Sequence, residues 1–303
     1  MKQLIVIQGP TAVGKTAIAV EVASRLGTSV VSADSRQCYI EMSIGTAKPT
    51  IEEQRGVQHY FIDEFPISRA LTAADYERLA LQYLAEIFSK LDTAVVCGGT
   101  GLYVKALCEG IDPMPPVDET INIEVNDRYE TEGIGWLQDA LSKEDPGYYK
   151  EMESANPARL IRALVFIRST GKSIAEFRTN TKKERPFRII KVGLELPRQQ
   201  LYDRINQRVA IMMANGLEQE ARSLYPQRQL KNLQTVGYAE LFEYFDGKCS
   251  LSYAIDKIKQ NSRNYAKRQL TWFKRDEATI WLAADGKDVV MDIIQLLNSG
   301  ITS

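Results

Sequence analysis

The chain has 303 residues, 44% of them hydrophobic and 25% charged, with a formal net charge of −1, which describes an ordinary globular protein with room for one large core and a smaller domain. Its single histidine, His59, argues against a Ser-His-Asp triad or a multi-histidine metal site. Cys38, Cys97, Cys108 and Cys249 show no metal spacing, so a reduced, cytoplasmic protein is expected.

Leu4-Ile5-Val6-Ile7 is an apolar run far too short to span a membrane. It leads straight into Gly9-Pro10-Thr11-Ala12-Val13-Gly14-Lys15-Thr16, so it reads as a buried strand and not a signal peptide, and no membrane partner is expected. The eight residues match G-x-x-x-x-G-K-T and precede a helical pattern from Ala17 to Ala23. Strand, glycine-rich turn and helix in that order form the setting of a phosphate-binding loop. The glycines let the backbone curl so that N–H groups converge on an anion, the helix adds its positive end, and Lys15 adds a full charge. The Thr16 hydroxyl suits a Mg²⁺ carried on the phosphates.

Thr28 to Ala33 reads as a second buried strand that delivers Asp34 at its carboxyl end, near the ligand crevice of a parallel sheet. A carboxylate there serves as a general base, binds magnesium through water, or caps the next helix. A polar loop follows, ending at Lys48-Pro49. His59 to Asp63 is a weaker strand candidate. Thr72 caps a long helix whose apolar stripe runs through Tyr76, Leu79, Tyr83 and Ile87. Thr93 to Cys97 is a third strand, followed by Gly98-Gly99-Thr100, a turn that admits close backbone approach. Many P-loop kinases end a later strand with an aspartate that holds Mg²⁺ for phosphoryl transfer. Here that strand ends in Cys97-Gly98, so the loop is expected to hold a diphosphate that leaves, with no phosphoryl group transferred.

Asp112-Pro113-Met114-Pro115-Pro116 marks a domain junction. Beyond it, Asp112 to Glu153 carries roughly twelve carboxylates against three bases, whereas Arg159 to Lys191 carries about ten bases against two acids. Asn156-Pro157 opens a helix with the stripe Leu160, Leu164 and Ile167, and with Arg159, Arg162 and Arg168 off it. The predicted layout is an α/β core (1–113 and 187–303) with an all-helical insertion (114–186). Strand character returns from Phe187 to Leu196. A helix from Arg198 places Arg204 and Arg208 on one face, where two guanidiniums suit a diphosphate clamp or a salt-bridged pair. Thr235 to Glu240 is a loop before an aromatic helix. The last basic run, Lys257 to Arg275, has no acid in it and mixes in Tyr265, Trp272 and Phe273, a pattern suited to phosphates and unpaired bases. Trp272 and Phe273 are weighted toward core anchors over stacking platforms.

Taken together, Gly9–Thr16, Asp34-Ser35-Arg36-Gln37 with Tyr39, Ile44–Pro49, Gly98-Gly99-Thr100 with Leu102-Tyr103, Arg204-Ile205 with Arg208, Val236-Gly237-Tyr238, and Ala266-Lys267-Arg268-Gln269 with Thr271-Trp272 resemble the bacterial tRNA dimethylallyltransferases, or tRNA isopentenyltransferases. The match covers nearly the whole chain in the same order. The resemblance implies a P-loop kinase-like parallel sheet with a helical insertion, here expected as a monomer. It implies transfer of the dimethylallyl group from dimethylallyl diphosphate to N6 of adenosine 37, next to the anticodon of tRNA, with Mg²⁺ as cofactor. By the same resemblance Asp34 takes the N6 proton, and Thr100 and Thr11 help position the reactants. Gly9, Pro10, Thr11, Ala12, Val13, Gly14, Lys15 and Thr16 hold the diphosphate with Arg208. The anticodon stem-loop would meet Asp34, Ser35, Arg36 and Gln37, the helix residues Ala158, Arg159, Leu160, Ile161 and Arg162, Gly237 and Tyr238, and Arg263, Lys267 and Arg268.

Three rivals stand beside this reading. An adenylate isopentenyltransferase runs the same chemistry on a free nucleotide but has no use for the basic segments. A small-molecule kinase conflicts with the missing strand-end aspartate. A noncatalytic RNA-binding module would use the loop only as an anion anchor.

Overall fold

The computed structural model describes residues 1–152, 155–179 and 181–298, in two compact units: Met1–Gly110 with Lys183–Ser303, and Ile111–Lys182. In the first unit, strand β1 (Gln3–Gln8) carries Leu4, Ile5, Val6 and Ile7 with no exposed surface. A strand apolar on both faces must be covered on both faces, the position of a central parallel strand. It pairs in parallel with Thr93–Gly98 on one side and Arg188–Glu195 on the other. With β2 (Val30–Ser32), β3 (His59–Tyr60), β4 (Thr93–Gly98), β5 (Arg188–Glu195) and β6 (Ile280–Ala283), the sheet order is β3-β2-β4-β1-β5-β6, parallel throughout.

Helices α1 (Lys15–Leu26), α2 (Ile51–Gln54), α3 (Ala73–Phe88) and α4 (Gly101–Glu109) join the first four strands and lead on from them. Thr72 caps α3 in a reciprocal box with Asp75, as its sequence predicts. The chain moves out from β1 to β2 and β3, returns at β4, and resumes at β5 on the far side of β1. That change of direction leaves the carboxyl ends of β1, β2 and β4 side by side, where ligands bind in open α/β sheets.

The second unit is helical among its described residues: α5 (Glu119–Glu144), broken at Gly133, then α6 (Pro146–Glu151), α7 (Pro157–Thr170) and a short 3₁₀ turn. Val125, Leu137, Leu141, Leu160, Leu164 and Ile174 form its core. Its bounds differ slightly from 114–186. The Lys183 N–H bonds the Glu109 carbonyl at 2.8 Å, and Arg185 binds Glu77 and the carbonyls of Ala106 and Leu107. These bonds fasten 183–185 to the α/β unit.

The remaining helices are α8 (Arg198–Ala214), α9 (Leu217–Leu224), α10 (Tyr238–Phe245), α11 (Leu251–Phe273) and α12 (Val289–Gln295). Strand β6 has no counterpart in the sequence reading. Its four residues are too few for a period, and pairing with β5 makes it a strand. No helix of the described residues is long and apolar enough to cross a membrane.

Candidate active site

The loop Gly9–Thr16 joins β1 to α1. Gly14 holds φ 108°, a conformation that glycine adopts without strain, and Ala12 sits at φ 63°. A non-glycine residue in that region costs about 1 kcal/mol, the kind of local strain that collects at ligand-binding loops. At the end of β4, Gly98 lies so close to Ala33 that a Cβ would stand 2.3 Å from the Ala33 carbonyl carbon. Only glycine lets the ends of β2 and β4 approach in this way.

Two cavities open at these strand ends, of about 200 Å³ and about 250 Å³. The smaller is lined by Thr11, Ala12, Gly14, Lys15, Thr16, Cys97, Gly98 and Gly99, so it is the space that the loop encloses. The larger has an apolar wall of Ile205, Val209, Met212, Val236 and Ile258. Thr11, Asp34, Thr46, Ala47, Arg208 and Tyr265 line both. An anion in one cavity and an apolar or planar group in the other would therefore meet at Asp34 and Arg208.

Lys15 donates to the Pro10 carbonyl at 2.7 Å. Burial lowers its pKa to about 8, against a smaller upward pull from Cys97 and Asp34. The Cys97 thiol is pushed up to about 11 by burial, so a neutral group stands where phosphoryl-transfer enzymes carry a carboxylate. An anion placed against Lys15 favours its charged form and raises its pKa. If the loop takes a diphosphate, affinity for inorganic pyrophosphate should be highest while Lys15 is protonated, below about pH 8. It falls above pH 8 by up to about tenfold per pH unit, because the ammonium must be re-formed on binding. Calorimetry at pH 7.5, 8.5 and 9.5 checks this, and Lys15→Met should flatten the profile.

Asp34 is half-buried. Its Oδ1 accepts the N–H groups of Arg36 and Gln37 at 2.8 and 3.2 Å, so it caps the next turn and faces both cavities as well. Thr100, expected to position reactants, lines neither cavity. Its Oγ1 accepts the Ser35 N–H at 3.0 Å and so steadies the turn that carries Asp34. The two arginines separate cleanly. Arg208 lines both cavities with its guanidinium near the Thr11 hydroxyl, whereas Arg204 bonds the Val13 carbonyl at 3.3 Å outside them. Burial lowers the Arg208 pKa, but a guanidinium stays protonated.

Other residues assigned to RNA contact divide by exposure. Lys267 and Arg268 on α11 are exposed, as are Ala158, Arg159 and Arg162 on α7, and Ile161 is half-buried. Ser35, Arg36 and Gly237 line the larger cavity. Arg263 bonds Asn206 at 2.6 Å. Leu160 and Tyr238 have no exposed surface, so their side chains cannot touch RNA without rearrangement. Gln37 spends its amide on the carbonyls of Thr46 and Ala47. Trp272 is 40% exposed with its indole against Gly101, whereas Phe273 is the core anchor of the pair.

The sequence reading missed Glu220 altogether. Its carboxylate accepts the consecutive N–H groups of Ser43, Ile44 and Gly45 at 3.0, 2.8 and 2.9 Å, and the Tyr238 hydroxyl at 2.6 Å. Burial and this carboxylate push the Tyr238 phenol far above its usual range. Gly45, Thr46 and Ala47 are cavity walls, so Glu220 holds an irregular loop in place from α9. Glu220→Ala should destabilise the fold by about 2–3 kcal/mol, the cost of stranding charge-assisted donors, as measured by urea denaturation. A carboxylate on an amphipathic helix gives no sign of this in sequence. Tyr265, four residues before Gln269, left a fainter one: that spacing puts both on one face of α11.

In this α/β protein the cavity enclosed by the Gly9–Thr16 loop shares Asp34 and Arg208 with a half-apolar chamber, an arrangement with room for two reactants. The IPP transferase family model matches residues 37–276. tRNA dimethylallyltransferase 1 of Phocaeicola vulgatus is 48% identical over 295 residues, which cover 97% of this chain and 98% of that one. The tRNA dimethylallyltransferase of Christiangramia forsetii is 49% identical over 282 residues, 93% of each chain. The crystal structure of the full-length tRNA isopentenylpyrophosphate transferase of Bacillus halodurans superposes with a TM-score of 0.73 at 38% identity, over 98% of this chain and 96% of that one. The chain belongs to the IPP transferase family.

Proposed function

We propose that the protein transfers the dimethylallyl group from dimethylallyl diphosphate to N6 of adenosine 37 in tRNA, releasing diphosphate. The observation that carries this reading is the pair of cavities joined at Asp34 and Arg208. In the transfer, adenine N6 forms a bond to C1 of the allyl group as the C1–O bond breaks, and diphosphate leaves with the electron pair. N6 is a weak nucleophile, so the carbon must become strongly electrophilic, which an allylic diphosphate allows by spreading positive charge over the allyl unit. The loop N–H groups, Lys15 and Arg208 stabilise charge growing on the leaving diphosphate. Asp34 accepts the N6 proton.

The Thr16 hydroxyl, which lines the loop cavity, would hold a Mg²⁺ that arrives with the diphosphate. Among the described residues there is no cluster of three acidic, histidine or cysteine groups that could hold a metal ion. When bound, it neutralises charge on the leaving group.

The apolar wall of the larger cavity is suited to the allyl group and one face of the adenine. The target base must leave the anticodon-loop stack, at a cost of a few kcal/mol. The exposed cations Lys267 and Arg268 on α11 suit an RNA backbone, as do Arg159 and Arg162 on α7 taken by themselves, so binding should weaken steeply with salt.

The test is a transfer assay with purified protein, Mg²⁺ and labelled dimethylallyl diphosphate, against unmodified tRNA and, in parallel, AMP. Label at adenosine 37 and none in AMP is expected. Label in AMP alone makes the acceptor a free nucleotide, and no label with tRNA still bound removes the transferase reading.

A further inference from the structure

We propose that Gln269 is a positioning residue that locks two opposite walls of the diphosphate cavity together and thereby sets its affinity for the diphosphate. The proposal deepens the transferase reading and rests on it only for its kinetic arm. Gln269 lies in the second half of α11 with 6% of its surface exposed. Its Oε1 accepts the Thr11 N–H at 2.8 Å, and its Nε2 donates to the Gly99 carbonyl at 2.9 Å. Thr11 belongs to the phosphate loop and Gly99 to the turn after β4, and both line the cavity. One amide thus spans two loops, from a helix some 258 positions along the chain from Thr11.

The chemistry of the amide suits this task. It sets an acceptor oxygen and a donor nitrogen in one plane, and each meets a backbone group of the opposite kind. The bond to Thr11 also takes one N–H of the loop out of the anion-facing set. That fixes where the N–H groups of the residues after it converge. Gly99 completes the fit, because a Cβ there would stand 2.3 Å from the Gln269 nitrogen. Tyr265, one turn earlier on the same helix face, lines both cavities, so α11 supplies one wall of the site.

Three variants test the assignment. Gln269→Leu removes both bonds. Gln269→Glu keeps the shape and the acceptor but loses the donor and brings a negative charge. Gly99→Ala keeps Gln269 and displaces its amide. Inorganic pyrophosphate with Mg²⁺ is titrated by calorimetry, the melting temperature is recorded, and KM for dimethylallyl diphosphate and kcat are measured with unmodified tRNA. The expected result is a pyrophosphate Kd raised by about tenfold or more in all three, since the converging donors lose their register. KM should rise in parallel, with kcat at saturation changed by less than about threefold. A lower melting temperature with unchanged Kd and KM would mark Gln269 as a merely structural residue and overturn the proposal. A normal Kd in Gly99→Ala would overturn it even if the Gln269 variants fail to fold. Wild-type protein that binds pyrophosphate but transfers nothing would defeat the transferase reading, and the Kd comparison would then decide Gln269 alone.

Discussion

Asp34→Asn should lower the single-turnover rate of dimethylallyl transfer by about 10³-fold, within the range for losing a general base, while RNA affinity changes by less than about threefold. Asparagine suits the comparison because its carbonyl oxygen can still accept the Arg36 and Gln37 N–H groups that Oδ1 holds now. The turn that carries the residue is then kept, and only the proton acceptor is lost. Rapid-quench measurement of transfer beside a direct tRNA-binding titration separates the two effects. A rate loss below tenfold would place the base elsewhere. Equal losses of rate and RNA affinity would make Asp34 a cap and an RNA contact, and no more than that.

The second large effect is expected at Arg208. Arg208→Gln should reduce kcat by about 10²–10³-fold, more than it raises KM for dimethylallyl diphosphate, because its charge is needed most when the leaving group has taken up the electron pair. Arg204→Gln should cost less than about tenfold, since Arg204 bonds the Val13 carbonyl and lines neither cavity. The comparison is internal: two arginines, one helix, four residues apart. If Arg204→Gln proves the more damaging, the clamp sits on the other side of the loop and the assignment of the leaving group to this cavity fails.

These expectations draw unevenly on the sequence. The phosphate loop was legible because all its parts are neighbours in the chain, and a strand, eight residues and a helix start suffice to build an anion site. Asp34 was legible for a related reason: an apolar run that stops at a carboxylate places it at a strand end. The helical character of the insertion followed from caps and apolar stripes, as at Asn156-Pro157. Arg204 and Arg208 shared a face by spacing, but spacing alone left open which of them faces the ligand. Gln37 and Tyr238 were assigned to RNA from motif membership, whereas their polar atoms hold the Ser43–Ala47 loop directly or through Glu220. Motif membership marks a residue as part of a site without saying whether it faces the ligand or supports what does.

What the sequence by itself determined is the local structure: a parallel α/β core, a glycine-rich strand-to-helix loop after its first strand, a carboxylate at the end of its second, and helices rich in basic residues. What only the tertiary structure decided is which distant groups complete it. Glu220 meets Gly45 across 175 positions, and Gln269 meets Gly99 across 170. β6 exists only because β5 offers it a free edge. Local order is encoded in short-range backbone preference and periodicity, which a sequence displays. A hydrogen bond between remote residues depends on where the packed core sets two backbones, and no window of the chain contains that information.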